Sequence, residues 1–586
     1  MKARRLTALL AACLAGTMCV FAPAGSAAAA AATVTVDFSV DSGPSDRVAS
    51  GFLHGISADS PAQYLVDDVH VTAVRGADHH PNLPSLFDSA TQARVATTGA
   101  KTMVGLYYYT ADSSNPHHGY WPGDDGDWAT WQDIVTGVHN EAGANGYDVY
   151  SWIPWNEPDL QWNTTARPYT RFLKTFDVAH DTMKAINSSQ RIQGPELSSY
   201  SYSRLTAFLT YCKTNGCLPD ILSWHELTSA PADVEAHTAQ IRTWMSDNGI
   251  APMPIAITEY QGTGYGDSNA YNVGQNVSWL ARMERARSNG LAFGLYSAWE
   301  WVGSDSSFVA TLGNATTAEA TLPRGVWWNY NAYKEMTGDL VGVISAAGLE
   351  AFGSSDPATR RATFLVGNQD SASKKITLSL NNLDSASYLT RGGKIHLTAE
   401  AVSNSATLTA PAQVIDADYT VKDSALSVDL PSLAGYGAYR ISLSSATSAA
   451  PTYSYEAESL PVTSTDGVTY RTFTESQASG GASTSLDATA PGQFAKYTIN
   501  VPSTGVYNVD AILKKEANRG IFQLYVNGTA YGEPRDEYGS FLYYRAGFGN
   551  IPLVAGSNVL ELRSVAKNPS SSAYWIVVDK FQLKKL

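Results

Sequence analysis

Two glutamates stand where a pair of carboxyls can share one substrate bond. Glu157 lies in Ser151-Trp-Ile-Pro-Trp-Asn156-Glu157-Pro158, and Glu259 in Ile255-Ala-Ile-Thr-Glu259-Tyr260. Each closes a short apolar run, the pattern of a buried strand. Acetal cleavage needs a proton donor for the departing oxygen and an anion facing the carbon it leaves. Two carboxyls flanking one bond supply both. Trp152, Trp155, Trp299 and Trp301 crowd the same kind of run end. Their faces can stack on the C–H-rich side of a sugar, though Trp is also ordinary core filler.

The elements that must position this pair follow from hydrophobic periodicity. Eight strand-like runs occur at 51–57, 69–75, 101–109, 148–154, 191–195, 221–225, 254–259 and 291–298. Amphipathic helices separate them. Phe172, Phe176, Ala179, Met183 and Ile186 mark one helical face, and Val234, Ile241 and Met245 another, with Gly249 as its stop. Asn289-Gly290 ends the helix before the last run in the same way. Eight alternations predict an α/β fold of the (β/α)8 TIM-barrel type over 50–338. A doubly wound sheet is the rival, but no Gly-rich phosphate loop follows the first run. In a barrel, Glu157 and Glu259 end strands four and seven, across the mouth from each other, where such enzymes keep their chemistry.

Beyond residue 338 the texture becomes all-β. Residues 339–445 alternate as an antiparallel β-sandwich, and 33–49 predicts an N-terminal strand that joins it. Residues 446–452 read as a linker by composition, and 453–586 as a second, C-terminal β-sandwich.

Trp155-Asn156-Glu157-Pro158 together with Thr258-Glu259-Tyr260 resembles clan A of the retaining glycoside hydrolases. Within the clan the chain is most similar to family 39, through Gly51-Phe-Leu-His54-Gly55, Pro219-Asp-Ile-Leu-Ser-Trp-His225 and Trp327-Trp328-Asn-Tyr-Asn-Ala-Tyr-Lys-Glu-Met336-Thr-Gly338. The resemblance implies Glu157 as acid/base and Glu259 as nucleophile, with Glu259 raising the pKa of Glu157. It implies Asn156 on the sugar 2-hydroxyl and Arg75 steadying the nucleophile. His225, His54, Trp155 and Tyr260 belong to the resembling segments and are candidate substrate contacts; Trp299 and Glu300 are candidates by residue type, in a stretch, Trp299-Glu300-Trp301, that departs from the family pattern. Glu300, between two Trp, reads equally as a sugar contact or a core ion pair. His79-His80 lack metal-ligand spacing and read as a loop near substrate. No cofactor is implied for catalysis.

Residues 453–586 resemble the carbohydrate-binding modules of families 6 and 35, through Tyr455-Glu456-Ala457-Glu458-Ser459, Pro552-Leu-Val-Ala-Gly-Ser-Asn558-Val-Leu-Glu-Leu and Val577-Val578-Asp579-Lys580-Phe581. The resemblance implies Glu456, Glu458 and Asp579 as ligands of a structural Ca²⁺; the bland alternative is a solvated acidic edge. Tyr543, Tyr544 and Trp575 are candidate sugar contacts, Trp575 equally a core residue.

Composition sets the remaining bounds. The 586 residues carry 40 Lys and Arg against 54 Asp and Glu, a net charge of −14, with 14 Trp and 32 Tyr. No basic block follows the first five residues, so nucleic acid and anionic membranes are excluded as electrostatic partners. Residues 1–32 have the layout of a signal peptide, Lys2, Arg4 and Arg5 before an apolar run. A secreted, extracellular chain is expected, and with it a short-loop disulfide between Cys212 and Cys217. The resulting expectation is a retaining glycosidase with a polysaccharide or oligosaccharide partner. Its substrate is a plant cell-wall or gum polysaccharide, arabinogalactan or hemicellulose, cut near chain ends. An endo-acting hydrolase of a microbial or algal glycan and a catalytically silent carbohydrate-binding protein are the rivals; the intact glutamate pair argues against the second.

Overall fold

The computed structural model describes residues 31–585 apart from 55, 59–60, 80–84, 107–116, 228, 262–271, 289–308, 312–319, 406–407, 409 and 446–451. The leader, His80, Asn289-Gly290, the eighth strand, Trp299, Glu300, Trp301 and most of the linker lie outside the described residues.

A first strand, β1 (Ala32–Pro44), precedes the barrel strands β2 (Gly51–Leu53), β3 (Ala73–Ala77), β4 (Lys101–Gly105), β5 (Ser151–Ile153), β6 (Gln193–Leu197), β7 (Ile221–Glu226) and β8 (Ile255–Tyr260). Strands β2 to β5 run parallel in chain order, as do β6 to β8, and a parallel bridge between Trp152 and Ile192 joins the two sets. These strands are short and almost wholly buried, as a parallel sheet covered on both faces requires. Ala73, Met103, Ile153, Ile221 and Ala256 form the inner barrel cluster. A larger core fills the space between sheet and helices. The helix Tyr169–Ile186 supplies Phe172, Phe176, Ala179 and Met183 to it, while Ile186 is exposed. Gly194 on β6 lacks a Cβ where the Phe176 ring presses on the strand.

After the last barrel helix (Gly325–Lys334) the chain forms a nine-stranded sheet that takes in β1. This strand pairs antiparallel with Asp339–Ser345 and parallel with Lys374–Asn381. Val34 and Val36 enter a separate core with Phe364, Leu378, Leu397 and Ile441. The C-terminal domain packs sheets of six and five strands around a third core.

The C-terminal domain docks on the barrel. Its strand Leu542–Leu553 lies on the short helix Gln63–Asp67, and Arg545 Nη2 donates to Asp68 Oδ2 at 2.5 Å. Ala478 and Tyr543 are fully buried in the barrel's own apolar cluster. A polar cavity of about 340 Å³ marks the junction of the three domains, between Glu335, Arg361, Arg440 and Lys584. Among the described residues no helix is long and apolar enough to cross a membrane.

Candidate active site

The C-terminal ends of the barrel strands bring five ionisable groups together. Arg75 comes from β3, Glu196 from β6, His225 from β7 and Glu259 from β8; Glu157 follows β5. Glu157 has φ 49°, Glu196 φ 61°, His54 φ 61° and Gln261 φ 67°. Left-handed backbone at non-glycine residues costs of order 1–3 kcal/mol each and persists only where the surroundings hold it. Here it aims side chains from strand ends. Pro158 begins a four-residue helix directly after Glu157. Asp159 in that turn accepts from the backbone N–H and hydroxyl of Ser198 at 2.9 and 2.6 Å, locking the turn to the loop after β6.

The site is layered. Glu157 and Glu259 form the solvent side, with side chains 24 % and 12 % exposed. Arg75, His225 and Glu196 lie buried behind them. Arg75 spreads its guanidinium over three partners: Nη1 donates to Glu259 Oε1 at 2.7 Å, Nε pairs with Glu196 Oε1 at 2.9 Å, and Nη2 donates to Asn156 Oδ1. His225 Nδ1 lies 3.3 Å from Glu157 Oε1. Its Nε2 is 3.6 Å from Glu259 Oε1 and 3.8 Å from Glu196 Oε1. One oxygen of Glu157, one nitrogen of His225 and one oxygen of Glu259 all fall within 4.8 Å of one another. Double displacement places its two carboxyls about 5–5.5 Å apart, whereas inversion leaves roughly 6.5–9.5 Å for a water.

The electrostatics overturn one expectation. Glu157 is not raised above the ordinary Glu value. Burial pushes its carboxyl up, but the His225 hydrogen bond, the charge of His225 and Arg75 together bring it below the ordinary Glu value. Burial works against a charged His225, yet Glu259, Glu157 and Glu196 hold it protonated and raise it to about 9. Burial likewise opposes ionisation of Glu196, and Arg75, His225 and Ser223 overcome it, taking Glu196 down to about 2.

Several predicted substrate contacts sit elsewhere. Tyr260 is fully buried and donates to the Ala49 carbonyl at 2.6 Å beside Tyr330, so it ties β8 to β2. Trp155 is buried in a cluster with Trp121, Trp131 and Trp162. His225 lies behind the carboxyls rather than in front of them, whereas Arg75 sits against Glu259 as expected of a residue that steadies it. Buried His54 gives its backbone N–H to the Arg75 carbonyl. Half-exposed His79 pairs with Glu141 at 2.8 Å. Asn156, half-buried beside Glu157, stays at the mouth. Glu196 was not singled out from the sequence: no motif flags a lone Glu after Gly194-Pro195, and its role rests on partners from other strands.

Two more expectations change. Cys212 and Cys217 are free, buried thiols rather than a disulfide. Cys212 ends a helix, its carbonyl accepts from Gly216 and Cys217 N–H, and the two thiols meet by a hydrogen bond in the apolar core. In the C-terminal domain, Tyr543 is core and donates or accepts at Ser483 rather than facing a ligand.

Glu456 and Glu458 do converge with Asp579. Glu456 pairs in register with Lys580, next to Asp579. A Cβ on Gly480 would sit 3.0 Å from Glu458 Oε1 and 4.0 Å from Glu456 Oε2. Oε2 of each glutamate and both oxygens of Asp579 are buried without a hydrogen-bond partner. Burial first, then Glu456 and Glu458, push the Asp579 carboxyl well above its ordinary value, against Lys580. Hard oxygen donors that are buried, clustered and unsatisfied fit a Ca²⁺ ion.

Residues 456–585 match the carbohydrate binding module (family 6). The chain is 25 % identical over 394 residues to a 3-O-beta-L-arabinopyranosyl-alpha-L-arabinofuranosidase of Bifidobacterium pseudocatenulatum, covering 57 % of this chain and 38 % of that protein. It is 24 % identical over 584 residues to a 3-O-alpha-D-galactosyl-alpha-L-arabinofuranosidase of Bifidobacterium longum subsp. longum, covering 86 % of this chain and 49 % of that protein. The chain thus spans less than half the length of each of these relatives. The GH39 enzyme of Xanthomonas axonopodis pv. citri shares the fold, with a TM-score of 0.52 at 14 % identity over 72 % of this chain and 99 % of that one. Fold and module are those that the sequence resemblance implied.

Proposed function

We propose that this chain is a retaining glycoside hydrolase whose nucleophile is Glu259 and whose acid/base is Glu157. The observation that carries this is the approach of their carboxyls at the barrel mouth, within 4.8 Å at the nearest atoms. Glu259 Oε attacks the anomeric carbon as the bond to the leaving oxygen breaks, and Glu157 gives that oxygen its proton. Water then attacks the glycosyl ester, loses a proton to Glu157 and frees Glu259. Arg75 fixes the orientation of Glu259 and of Asn156 through its guanidinium, and in this reading Asn156 contacts the 2-hydroxyl.

The names of the two bifidobacterial relatives support a substrate that carries a substituted α-L-arabinofuranosyl unit, as an arabinogalactan side chain does. In this reading the chain is exported, and Glu456, Glu458 and Asp579 hold a calcium ion that firms the module. The docked module then presents glycan to the barrel at a fixed geometry rather than on a loose tether.

The test is a panel of aryl glycosides and arabinogalactans with product mass and anomeric configuration read by NMR. Retention of configuration is expected, with Glu259→Gln and Glu157→Gln each lowering kcat on natural glycan by about 10³-fold or more. Inverted product, or either variant turning over like the wild type, refutes the assignment.

A further inference from the structure

We infer that Glu196 is a positioning residue of the reaction, one that clamps Arg75 and His225 behind the two mouth carboxyls and keeps a proton stored beside Glu157. The inference rests on the roles proposed for Glu157 and Glu259. Glu196 touches Glu157, Arg75 and His225 directly and reaches Glu259 through the Arg75 guanidinium. Its backbone carbonyl accepts the Glu157 N–H at 2.9 Å. Its Oε1 pairs with Arg75 Nε at 2.9 Å, the guanidinium that grips Glu259 with Nη1. The same oxygen faces His225 Nε2 at 3.8 Å. Its Oε2 accepts from the Ser223 hydroxyl and from Gln193 Nε2, so the carboxylate is fixed from β6 and β7 at once.

A fully buried carboxylate is costly unless paired and hydrogen-bonded. Glu196 is both, at a residue whose backbone is itself strained, which marks a built position. Charge explains what it does. Among the described residues, Arg75 and His225 are the cations facing this cluster, and Glu157, Glu196 and Glu259 the anions. With all five charged the sum is one negative charge, so His225 keeps its proton. Only Nδ1 of that ring points at Glu157. Transfer of this proton from Nδ1 to Glu157 Oε1 leaves a neutral imidazole and a neutral acid, the form that protonates a leaving group. The depressed Glu157 of the resting site is thereby reconciled with an acid role. The two groups titrate as a pair, not singly.

Removing the Glu196 charge makes the pair lose its proton at lower pH. We expect Glu196→Gln to move the alkaline limb of kcat/KM down by about one pH unit, tenfold in proton affinity. We expect kcat at the optimum to fall about 10- to 100-fold with KM changed less than about threefold, since the loss falls on the transition state. The second readout needs no turnover: the His225 imidazole followed by NMR in ¹⁵N-histidine-labelled full-length protein, assigned with His225→Asn. Its midpoint should drop by about one unit in Glu196→Gln. A folded Glu196→Gln with both limb and His225 midpoint unmoved overturns the inference, even if its melting temperature falls. If Glu196→Gln does not fold, Glu196→Asp decides: the His225 midpoint should stay near wild type while kcat drops, and a wild-type kcat with a displaced midpoint overturns the inference. Because the midpoint is read without substrate, it judges Glu196 even if the roles of Glu157 and Glu259 fail.

Discussion

Two regions of this molecule each gather three carboxylates, and they solve the repulsion in opposite ways. At the barrel mouth, Glu157, Glu196 and Glu259 are interleaved with Arg75 and His225, and the anions of the inner layer are satisfied by side-chain donors. In the C-terminal domain, Glu456, Glu458 and Asp579 meet with unpartnered oxygens, and Lys580 at the edge gives its ammonium to Ser479 at 3.0 Å. Among the described residues the first cluster carries its own counter-charge. The second is complete only when protons or a cation arrive from outside. Carboxyls interleaved with matching cations can ionise together, whereas carboxyls that outnumber their cations, as Glu456, Glu458 and Asp579 do beside Lys580, must take up protons or a cation.

The largest effect should come from stripping the internal counter-charge. Arg75→Met leaves Glu196 and Glu259 facing each other without their shared guanidinium. Breaking a buried pair from one side costs about 3–5 kcal/mol. We expect a fall in melting temperature and a drop of at least about 10²-fold in kcat, because Glu259 loses the partner that fixes its orientation. Urea titration and steady-state kinetics read the two effects. A variant as stable and active as wild type would erase the contrast between the clusters.

Next comes the external counter-charge. Calcium at about a hundredfold over its Kd should stabilise the chain by about 2.7 kcal/mol, and EDTA should reverse it. Asp579→Asn should gain nothing from calcium, since one of three anionic donors is gone. Calorimetry with and without the ion checks both. A wild-type melting temperature blind to calcium and EDTA would leave the cluster a protonated acidic edge.

The two clusters should also respond to pH with opposite sign. Glu196 is lowered from about 4.5 to about 2 by Arg75 and His225 despite burial. It therefore stabilises the fold above its unfolded value, and that contribution fades as pH falls from about 4.5 toward 2. Asp579 is raised, by burial and by its two glutamate neighbours. Without calcium it binds a proton more tightly folded than unfolded. Its contribution is present at acid pH and is lost as pH rises through the folded value. In EDTA, stability near neutral pH should therefore improve in Asp579→Asn relative to wild type and be indifferent to that change at pH 3. Urea midpoints across pH measure this.

What the sequence disclosed divides along the same line. Glu157 and Glu259 were legible because each ends an apolar run beside a distinctive neighbour, so a local pattern carried the signal. The meeting of Glu456, Glu458 and Asp579, from two ends of one domain, was legible through the resemblance to carbohydrate-binding modules rather than from a local pattern. The barrel itself was legible from alternation, although its strands proved shorter than their apolar runs, with Val69 and Val71 packing before β3 begins. Glu196 was not legible, since its meaning lies in Arg75 and His225 arriving from other strands. Trp155 and Tyr260 were misplaced for a related reason. Pattern places a residue at a strand end, but side chains from elsewhere in the chain, Trp121, Trp131 and Trp162 around Trp155 and Tyr330 beside Tyr260, show where it packs.

The cysteines yield the smallest expected effect and the sharpest check on compartment-based reasoning. Two cysteines four residues apart in an exported chain suggest a short disulfide loop. The fold offers them another state. Cys212 and Cys217 lie at the end of one helix, wholly buried, with the intervening turn closed by backbone bonds to the Cys212 carbonyl and by the left-handed Gly216. A crosslink over so short a loop removes little entropy from the unfolded chain, because the loop term grows only with the logarithm of its length. Burial and the neighbouring thiol push the Cys212 pKa far up, and a thiol that does not ionise is a poor nucleophile. A reductant should thus leave the melting temperature unchanged within about 1 °C. A maleimide reagent should label neither cysteine in the native protein and both after unfolding. Labelling of neither in denaturant without reductant would show that oxidation prevails over the packing described here.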